Sequence, residues 1–311
     1  MKRSEAPLSD RVTDTIKSAG LPKVSLLVTD LDNTLWDWFE IWYRSFSALL
    51  DGIVRISGIP KDVLYGEIRE IHQRRGTSEY SFLIGEMPSL QKLHSGADLQ
   101  EVYRDAFEAS RSARHEVLEL YPEVSKTLRA IKKAGTKIAA YTESLAFVTA
   151  ARVKYLGLDG VLDVLYSPPD HDFPHGVSAE DLRRFEPNDY GLKHTEHRHT
   201  PRGLLKPAPE VLRQIIAEMD DSQGVVYVGD SLMKDIAMAQ AVGAIDVWAE
   251  YGDSQDRPEY KLLQDVSHWT DADVKREAEI RKRPHVAPSV TLQRSFGELF
   301  DHFEFVKNGR R

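Results

Sequence analysis

The chain has 311 residues, of which 41% are hydrophobic and 29% are charged, and its formal net charge is −8 at pH 7. This length is sufficient for a large core and a second, smaller unit, and the acidic balance argues against a nucleic-acid surface, which normally needs a basic stripe. The sequence contains no cysteine, which excludes disulfides and metal sites built from thiolates.

The first predicted element is a buried strand. Val24–Thr29 is apolar and β-rich, and it is followed at once by Asp30, Asp32 and Thr34. Residues two apart along a strand point to the same face. Because the chain turns at the end of the strand, a carboxylate and a backbone carbonyl can converge there on one small volume. This arrangement suits a metal-assisted nucleophile with a second acid beside it.

A helical module follows the first strand. Amphipathic periodicity predicts helices over Trp38–Ser57, Lys61–Gln73 and Leu99–Glu119, separated by loops that contain glycine and proline. This stretch does not fit the alternation of strands and helices found in the rest of the chain. We therefore predict an inserted α-helical cap over residues 38–115, with part of its apolar face covering the active end of the sheet.

The remainder of the chain alternates between helices and strands. Helices are predicted over Glu123–Ala134 and Asp235–Val242, each followed by a glycine that suits a left-handed helix end. Short apolar runs predict buried parallel strands over Lys137–Tyr141, Val225–Gly229 and Ile245–Ala249. Weaker strand candidates are Leu162–Tyr166 and Ser289–Leu292.

This order of elements predicts an α/β fold with a Rossmann-like parallel sheet core. Residues 1–37 and 116–311 are assigned to the core, and residues 38–115 to the cap. Two polar stretches within the core, 167–204 and 253–283, are predicted as extra loops. A long loop inside a compact domain is unusual and is normally either functional or mobile.

Four polar clusters follow predicted strands or lie just beyond them. They are Asp30 with Asp32 and Thr34, then Thr142, then Lys206, and finally Asp230 with Asp235. In open α/β sheets, ligands bind in the crevice outside the carboxyl ends of the strands. Clusters that are distant in sequence can therefore converge on one crevice.

These clusters resemble the four motifs of the haloacid dehalogenase-like superfamily of aspartyl-phosphate hydrolases, in the phosphatase branch with a helical cap after the first strand. Asp30-Leu-Asp32-Asn-Thr34 matches Asp-x-Asp-x-Thr, and Ile138-Ala-Ala-Tyr-Thr142 matches the apolar strand that ends in Thr or Ser. Lys206-Pro-Ala-Pro matches the lysine motif, and Gly229-Asp230-Ser-Leu-Met-Lys-Asp235 matches Gly-Asp-x(4)-Asp. Each motif alone is weak, but the ordered set, within Val24 to Gly252, is specific.

The resemblance implies a phosphatase that hydrolyses a small phosphorylated metabolite through an aspartyl-phosphate intermediate. Asp30 is the implied nucleophile, and Asp32 the implied general acid on the leaving oxygen and then general base on water. Thr142 and Lys206 are implied to hold the phosphoryl oxygens as charge builds on them.

The resemblance also implies Mg²⁺ as cofactor, a hard ion that prefers oxygen ligands. The implied ligands are the carboxylates of Asp30 and Asp230 and the backbone carbonyl of Asp32. Asp235 either binds the ion directly or orients its waters.

Each of these residues also has a purely structural interpretation. An aspartate at a strand end is commonly a helix N-cap or a turn residue, and this holds for Asp235 in particular. Thr142 alone is most often a helix cap, and Lys206 alone a solvated surface charge. The order and spacing of the four clusters favour the functional interpretation.

Other polar and aromatic groups are weaker candidates. His194, His197 and His199 have spacings that suit a transition metal, although a solvated loop is the simpler interpretation. The Arg74–Arg75 pair could bind a substrate anion, or it could simply end a helix in solvent. Trp36, Trp38 and Trp42 could line a pocket, but aromatic side chains at such positions are more often core between cap and sheet.

Alternatives to a phosphatase stay open at this point. A phosphomutase uses the same two aspartates but returns the phosphoryl group to a sugar. Dehalogenases and phosphonate hydrolases of the superfamily are disfavoured by Asp32, because no leaving group has to be protonated in a dehalogenase. A non-catalytic binding or regulatory protein on the same scaffold is disfavoured by the four intact polar clusters.

The sequence leads us to expect a soluble, cytoplasmic protein. The N-terminal segment is charged and has no apolar stretch, so no signal peptide is expected. No run reaches the roughly 18 uninterrupted apolar residues of a membrane span. The expected partner is a small phosphorylated substrate, with no nucleic acid and no membrane, and the substrate's identity and the oligomeric state stay open.

Overall fold

The computed structural model describes residues 20–174, 176–178, 186, 190–219, 224–272, 275 and 286–307. Some predicted segments lie outside the described ranges, namely residues 1–19 of the predicted core, parts of the stretch 167–204 and most of the residues 273–283. Within the part of the chain that is described, no helix is both long enough and apolar enough to cross a membrane.

The centre of the molecule is a seven-stranded, entirely parallel sheet. Its strands are β2 (Leu26–Thr29), β3 (Lys137–Tyr141), β4 (Val164–Ser167), β5 (Glu196–His199), β6 (Val225–Gly229), β7 (Ile245–Ala249) and β8 (Val290–Leu292). From one edge of the sheet to the other they lie in the order β5-β4-β3-β2-β6-β7-β8. The central strand β2 is buried along its whole length. This confirms the prediction of a Rossmann-like parallel sheet core.

The first predicted strand is divided in two. Lys23–Val24, here β1, pairs with β9 (Glu304–Phe305) in a separate two-stranded parallel sheet, while β2 begins at Leu26. The backbone N–H groups of Ser25 and Leu26 both donate to the carbonyl of Gly224, at 3.1 and 3.3 Å, and this contact interrupts the ladder. The prediction of one continuous strand over Val24–Thr29 is therefore corrected.

Six helices form the insertion that follows β2. They are α1 (Trp38–Ser57), α2 (Lys61–Arg75), α3 (Leu83–Glu86), α4 (Pro88–Leu93), α5 (Leu99–Val102) and α6 (Arg104–Val117). The predicted helix Leu99–Glu119 is interrupted at Tyr103, and α3 and α4 are short helices in a segment predicted as loop. Helices α1 and α6 approach closely at Gly52, where a Cβ would lie 2.4 Å from the Cβ of Ala106.

The helices of this insertion enclose their own hydrophobic core, separate from the two clusters that flank the sheet. An element from a distant part of the chain joins that core. This element is helix α11 (Tyr260–Val266), which lies in the stretch predicted as the extra loop 253–283. The carbonyl of Val266 also lies 2.6 Å from Nδ1 of the buried His72 on α2.

The remaining helices flank the sheet. In chain order they are α7 (Val124–Ala134), α8 (Ala146–Tyr155), α9 (Pro209–Met219), α10 (Ala237–Val242) and α12 (Leu299–His302). A wide helical turn, Leu232–Ile236, precedes α10, so the predicted helix Asp235–Val242 begins earlier and has two parts.

Strand β5 lies in the stretch predicted as the extra loop 167–204. Its start is fixed by Asp159, whose carboxylate accepts hydrogen bonds from the backbone N–H groups of Lys193, His194 and Thr195, each at 2.9 Å. The strand sits at the edge of the sheet, where polar side chains are tolerated, and this explains why no apolar pattern marked it.

Candidate active site

The candidate site lies at the carboxyl ends of the central strands β2, β3 and β6. Asp30 directly follows β2, and its backbone N–H donates to the carbonyl of Val228 at 2.8 Å. The chain then turns through Asn33, which has a left-handed backbone with φ of 58°. The side-chain oxygen of Asn33 accepts a hydrogen bond from the N–H of Phe39 at 3.1 Å, which joins the turn to the start of α1. Thr34 Oγ1 donates to Asp30 Oδ2 at 3.3 Å.

Lys206 is buried beside Asp30, and it is not a surface charge. Its Nζ donates to Asp30 Oδ1 at 2.5 Å and to Asp235 Oδ1 at 2.9 Å, and its side chain is 2% exposed. The ammonium also lies over the rings of Tyr141 and Tyr227, 4.8 and 5.6 Å from their centroids. Two carboxylates and two aromatic faces thus compensate the desolvation of one buried cation.

Asp235 is a second partner of this lysine, and it is not a helix N-cap. The N-cap of the wide turn is Ser231, whose hydroxyl accepts from the N–H of Lys234. The Asp235 carboxylate instead accepts from Tyr227 Oη at 2.8 Å and from the N–H of Ser231 at 3.1 Å. Gly229 makes room for it, because a Cβ at that position would lie 2.4 Å from Asp235 Cγ.

Three carboxylates converge at this point. Asp30, Asp230 and Asp235 each offer an oxygen, and these oxygens lie within 4.8 Å of one another. Burial, together with the neighbouring Asp235, raises the pKa of Asp30 to about 7 against the opposing influence of Lys206. Burial, and the neighbouring carboxylates of Asp235 and Asp30, also hold the pKa of Asp230 well above its usual range. An all-oxygen, electron-rich donor set of this kind fits a hard divalent cation such as Mg²⁺.

Asp32 occupies a different environment from this cluster. Its Oδ2 accepts from Ser144 Oγ at 2.5 Å, and its Oδ1 accepts from Trp36 Nε1 at 2.7 Å and lies 3.5 Å from the Arg152 guanidinium. Burial raises the pKa of Asp32, and the charge of Arg152 opposes that rise. The two aspartates of the first motif therefore have separate partners.

The loop after β3 brings further polar groups to the site. Thr142 is buried, and its hydroxyl accepts from the N–H of Ser144 at 3.1 Å, so it shapes a turn and does not cap α8. Glu143, which sequence reasoning missed, accepts from the N–H of Lys206 at 2.7 Å and from Lys234 Nζ at 2.6 Å. Glu143 thereby fastens the loop that carries Thr142 to the segments that carry Lys206 and Asp235.

Neither of the weaker polar candidates contributes to the site. Arg74 and Arg75 both pair with Glu86 within the helical insertion. His197 Nε2 lies 2.8 Å from the hydroxyl of Ser167, and burial lowers the pKa of His197 to about 4. Among the described residues, Asp30, Asp230 and Asp235 form the acidic group that could hold a metal, and no histidine belongs to it.

The three tryptophans after the first motif pack in the core or beside it, and the indole N–H of each donates a hydrogen bond. Trp36 and Trp42 are buried, and the indole N–H of Trp42 donates to a backbone carbonyl. Trp36 donates to Asp32, and Trp38 Nε1 donates to Glu79 Oε2 at 3.0 Å. No local sequence signal marks Glu79, which lies in the loop between α2 and α3.

The segment after β4 reaches the helical insertion near this site. The ring of His171 lies 4.8 Å from that of Tyr80 and 5.9 Å from that of Phe82. Asp170 Oδ1 accepts from the N–H of Phe147, in the first turn of α8, at 2.9 Å. The beginning of the predicted extra loop 167–204 therefore contacts both the insertion and the helix that follows β3.

The sequence matches two related family models. A haloacid dehalogenase-like hydrolase model matches residues 24–243, which is well over half of the chain, and a second, HAD-hydrolase-like model matches residues 204–287. A curated relative, glyceraldehyde 3-phosphate phosphatase from Methanopyrus kandleri, is 23% identical over 239 residues, which cover 75% of this chain and 87% of the relative.

The chain was also compared with solved structures. The 2-haloacid dehalogenase from Pseudomonas syringae pv. tomato superposes with a TM-score of 0.51 at 21% identity, over 89% of this chain and 97% of that chain. A HAD phosphatase from Thermococcus onnurineus has a TM-score of 0.48 at 16% identity, over 89% and 97% of the two chains. The likeness to the first of these two structures, at 21% identity, concerns the fold alone. With the family model matching the helical insertion and most of the sheet, the chain belongs to the haloacid dehalogenase-like hydrolases.

Proposed function

We propose that this hydrolase is an Mg²⁺-dependent phosphatase that cleaves a small phosphorylated metabolite through an aspartyl-phosphate intermediate. The observation that carries the proposal is the separation of two adjacent carboxylates into different environments. Asp30 lies with Lys206 and the acidic cluster, while Asp32 is held by Ser144, Trp36 and Arg152. Two carboxylates with distinct surroundings suit a nucleophile and a separate acid–base group.

Asp30 is the proposed nucleophile. Its carboxylate oxygen would form a bond to phosphorus while the bond from phosphorus to the ester oxygen breaks, which splits one difficult hydrolysis into two steps. Thr34 and Lys206 already orient this carboxylate through hydrogen bonds of 3.3 and 2.5 Å. An oriented nucleophile gains rate because less orientational freedom has to be lost at the transition state.

Asp32 is the proposed acid and base. As the ester bond breaks, its proton would pass to the leaving oxygen, and in the second step it would take a proton from the water that attacks the aspartyl-phosphate. Burial raises the pKa of Asp32. A raised pKa keeps a proton on the carboxyl group closer to neutral pH, as a general acid requires.

The acidic cluster is the proposed metal site. The carboxylates of Asp30 and Asp230 and the backbone carbonyl of Asp32 would hold Mg²⁺, with Asp235 binding the ion or orienting its waters. When bound, the ion would offset the negative charge of the phosphoryl group and of the clustered carboxylates.

Lys206 and Thr142 are the proposed phosphoryl-binding groups. Lys206 carries a buried positive charge directly beside Asp30, where negative charge would gather on the transferring group. The hydroxyl of Thr142 accepts one hydrogen bond from the following turn, and its own hydrogen can donate to a phosphoryl oxygen. The name of the curated relative, a phosphatase of a phosphorylated triose, supports a phosphate monoester as the substrate class.

Hydrolysis of p-nitrophenyl phosphate with and without Mg²⁺ tests the proposal. We expect turnover by the wild type with Mg²⁺, and a loss of at least about 10³-fold in Asp30→Asn, as expected when a covalent nucleophile is removed. Asp51→Asn is the matched control, because Asp51 pairs with Lys61 on the surface of the helical insertion. Inactivity of the wild type across divalent metals and a panel of phosphorylated metabolites would contradict the proposal. Sugar-phosphate isomerisation without release of free phosphate would indicate a phosphomutase.

A further inference from the structure

A buried arginine joins the helical insertion to Asp32. Arg152 lies on α8, and its side chain is 3% exposed. One guanidinium nitrogen lies 3.5 Å from Asp32 Oδ1 and donates to Glu79 Oε2 at 3.3 Å, and the other donates to Glu79 Oε1. A buried guanidinium needs compensating partners, and here one partner comes from the core motif and the other from the insertion.

These three charged groups are part of a longer chain of contacts. Trp36 donates to Asp32 on one side, and Trp38 donates to Glu79 on the other, at 2.7 and 3.0 Å. Each carboxylate is therefore shared between an indole N–H and the same guanidinium. Glu79 belongs to the loop between α2 and α3, so this series of contacts is complete only while that loop lies against the core.

The contacts also distinguish the two oxygens of Asp32. Oδ1 faces two donors, the indole of Trp36 and the guanidinium of Arg152. A proton on Oδ1 would face these donors directly. Oδ2 faces only the hydroxyl of Ser144 among the described residues, and a hydroxyl can either donate or accept. The geometry thus favours Oδ2 as the oxygen that carries the proton when Asp32 acts as an acid.

We propose that Arg152 is a positioning residue for Asp32, and that Glu79 makes this positioning depend on the docked helical insertion. Arg152 fixes the carboxylate of Asp32 through Oδ1, so that Oδ2 delivers its proton to the leaving oxygen as the ester bond breaks. The inference rests on the proposed function, since it concerns the proton that Asp32 transfers. Proton transfer from Asp32 would then depend on the contact between the helical insertion and the core.

The test separates proton delivery from general integrity of the site by comparing two matched esters. 2,4-Dinitrophenolate leaves without a proton, whereas phenolate leaves much better when it is protonated. We expect Arg152→Gln to lower kcat on phenyl phosphate by about 100-fold, at the lower end of the usual contribution of general acid catalysis. On 2,4-dinitrophenyl phosphate the same variant should lose less than about fivefold.

A double-mutant cycle shows whether Arg152 acts through Asp32. Once Asp32→Asn has removed the acid, adding Arg152→Gln should cost little more on phenyl phosphate, because groups that act as a unit are not additive. Glu79→Gln should lose about tenfold on phenyl phosphate and keep its rate on the dinitrophenyl ester. The matched control is Arg129→Gln, since this exposed arginine on α7 donates to the carbonyl of Gly157, which lies just after α8.

Arg152→Gln leaves the half-buried Glu79 without its guanidinium partner and could fail to fold. The double variant Arg152→Gln/Glu79→Gln removes both charges, and it should show the same selective loss on phenyl phosphate. Equal losses on the two esters, or additive losses in the cycle, would overturn the inference while leaving the phosphatase intact. A wild type that hydrolyses neither ester would overturn the proposed function and this inference with it.

Discussion

Removal of Mg²⁺ should leave a protein whose stability depends on the protonation of Asp30. Without the ion, burial and the neighbouring Asp235 hold the pKa of Asp30 at about 7, compared with an ordinary value of 3.8. Between these two values the folded state binds a proton that the unfolded chain does not bind. The free energy of unfolding of the metal-free protein should therefore fall as the pH rises through 7.

The size of this effect follows from the two pKa values. A carboxyl group with a pKa near 7 when folded and near 3.8 when unfolded contributes roughly 2 kcal/mol more stability at pH 5.5 than at pH 8.5. Mg²⁺ should reverse the trend, because the ion binds the ionised carboxylates and its contribution to stability grows as they deprotonate.

The assay is urea unfolding at several pH values, with EDTA or with excess Mg²⁺, on the wild type and on Asp30→Asn. The asparagine resembles the protonated acid, so the difference between the two proteins reports the ionisation of Asp30 together with its effect on the neighbouring Asp230. Buried His72 and half-buried His197, with pKa values lowered to about 4, make stability fall at low pH in both proteins, and their effect cancels in the difference. A difference that stays constant from pH 5.5 to 8.5 in EDTA would refute the reasoning.

Four substitutions give further predictions. Lys206→Met should lower the free energy of unfolding by about 3 kcal/mol or more and abolish turnover, because it leaves buried carboxylates without their cation. Urea unfolding measures the first effect and phosphate release the second. A variant as stable as the wild type would contradict the assigned ion pairs. Gly252→Ala should lower turnover at least about tenfold, since its Cβ would lie 1.7 Å from the carbonyl oxygen of Asn33. The control is Gly66→Ala on α2, where the added Cβ meets open space. It should retain full activity, and its free energy of unfolding should rise by up to about 1 kcal/mol. Phe82→Ala, which removes a ring that contacts the segment after β4, should raise KM more than it lowers kcat, and unchanged kinetics on every substrate tested would show that this segment does not shape specificity.

The sequence predicted the parts of the fold that are encoded locally. An apolar strand that ends in a polar residue carries its information within a few positions, so the sequence alone was enough to place Asp30, Thr142 and Asp230 at strand ends. The parallel sheet followed from the alternation of such strands with helices. Lys206 could be selected only through the resemblance, because it lies beyond the end of β5 and follows no apolar run.

What the sequence did not show depends on contacts between distant segments. Glu79 and Arg152 are 73 residues apart, and each resembles an ordinary surface residue of a helix or a loop. Tyr227 lies within a buried strand, where an aromatic residue normally indicates core, and its hydroxyl nevertheless donates to Asp235. Strand β5 was missed because its four residues are all polar or charged, which is typical of loops as well as of sheet edges.

The different surroundings of the two aspartates of the first motif also depend on the fold. The sequence placed Asp30 and Asp32 close together, and the roles implied for them came from the resemblance. The structure gives each one its own partners, with Lys206 on the first and Ser144 and Arg152 on the second. These partners come from two other segments, one with Ser144 and Arg152 and one with Lys206, which only the tertiary arrangement brings to the first motif.

The central claim is that the phosphoryl group passes through Asp30. Acid quenching of the wild type during turnover of p-nitrophenyl phosphate with Mg²⁺, followed by peptide mass spectrometry, tests this directly, because acyl phosphates survive acid. We predict a phosphorylated peptide in which Asp30 carries the group, and no such peptide from Asp30→Asn. Steady release of phosphate by the wild type with no phosphoryl group on Asp30 at any quench time would contradict the account.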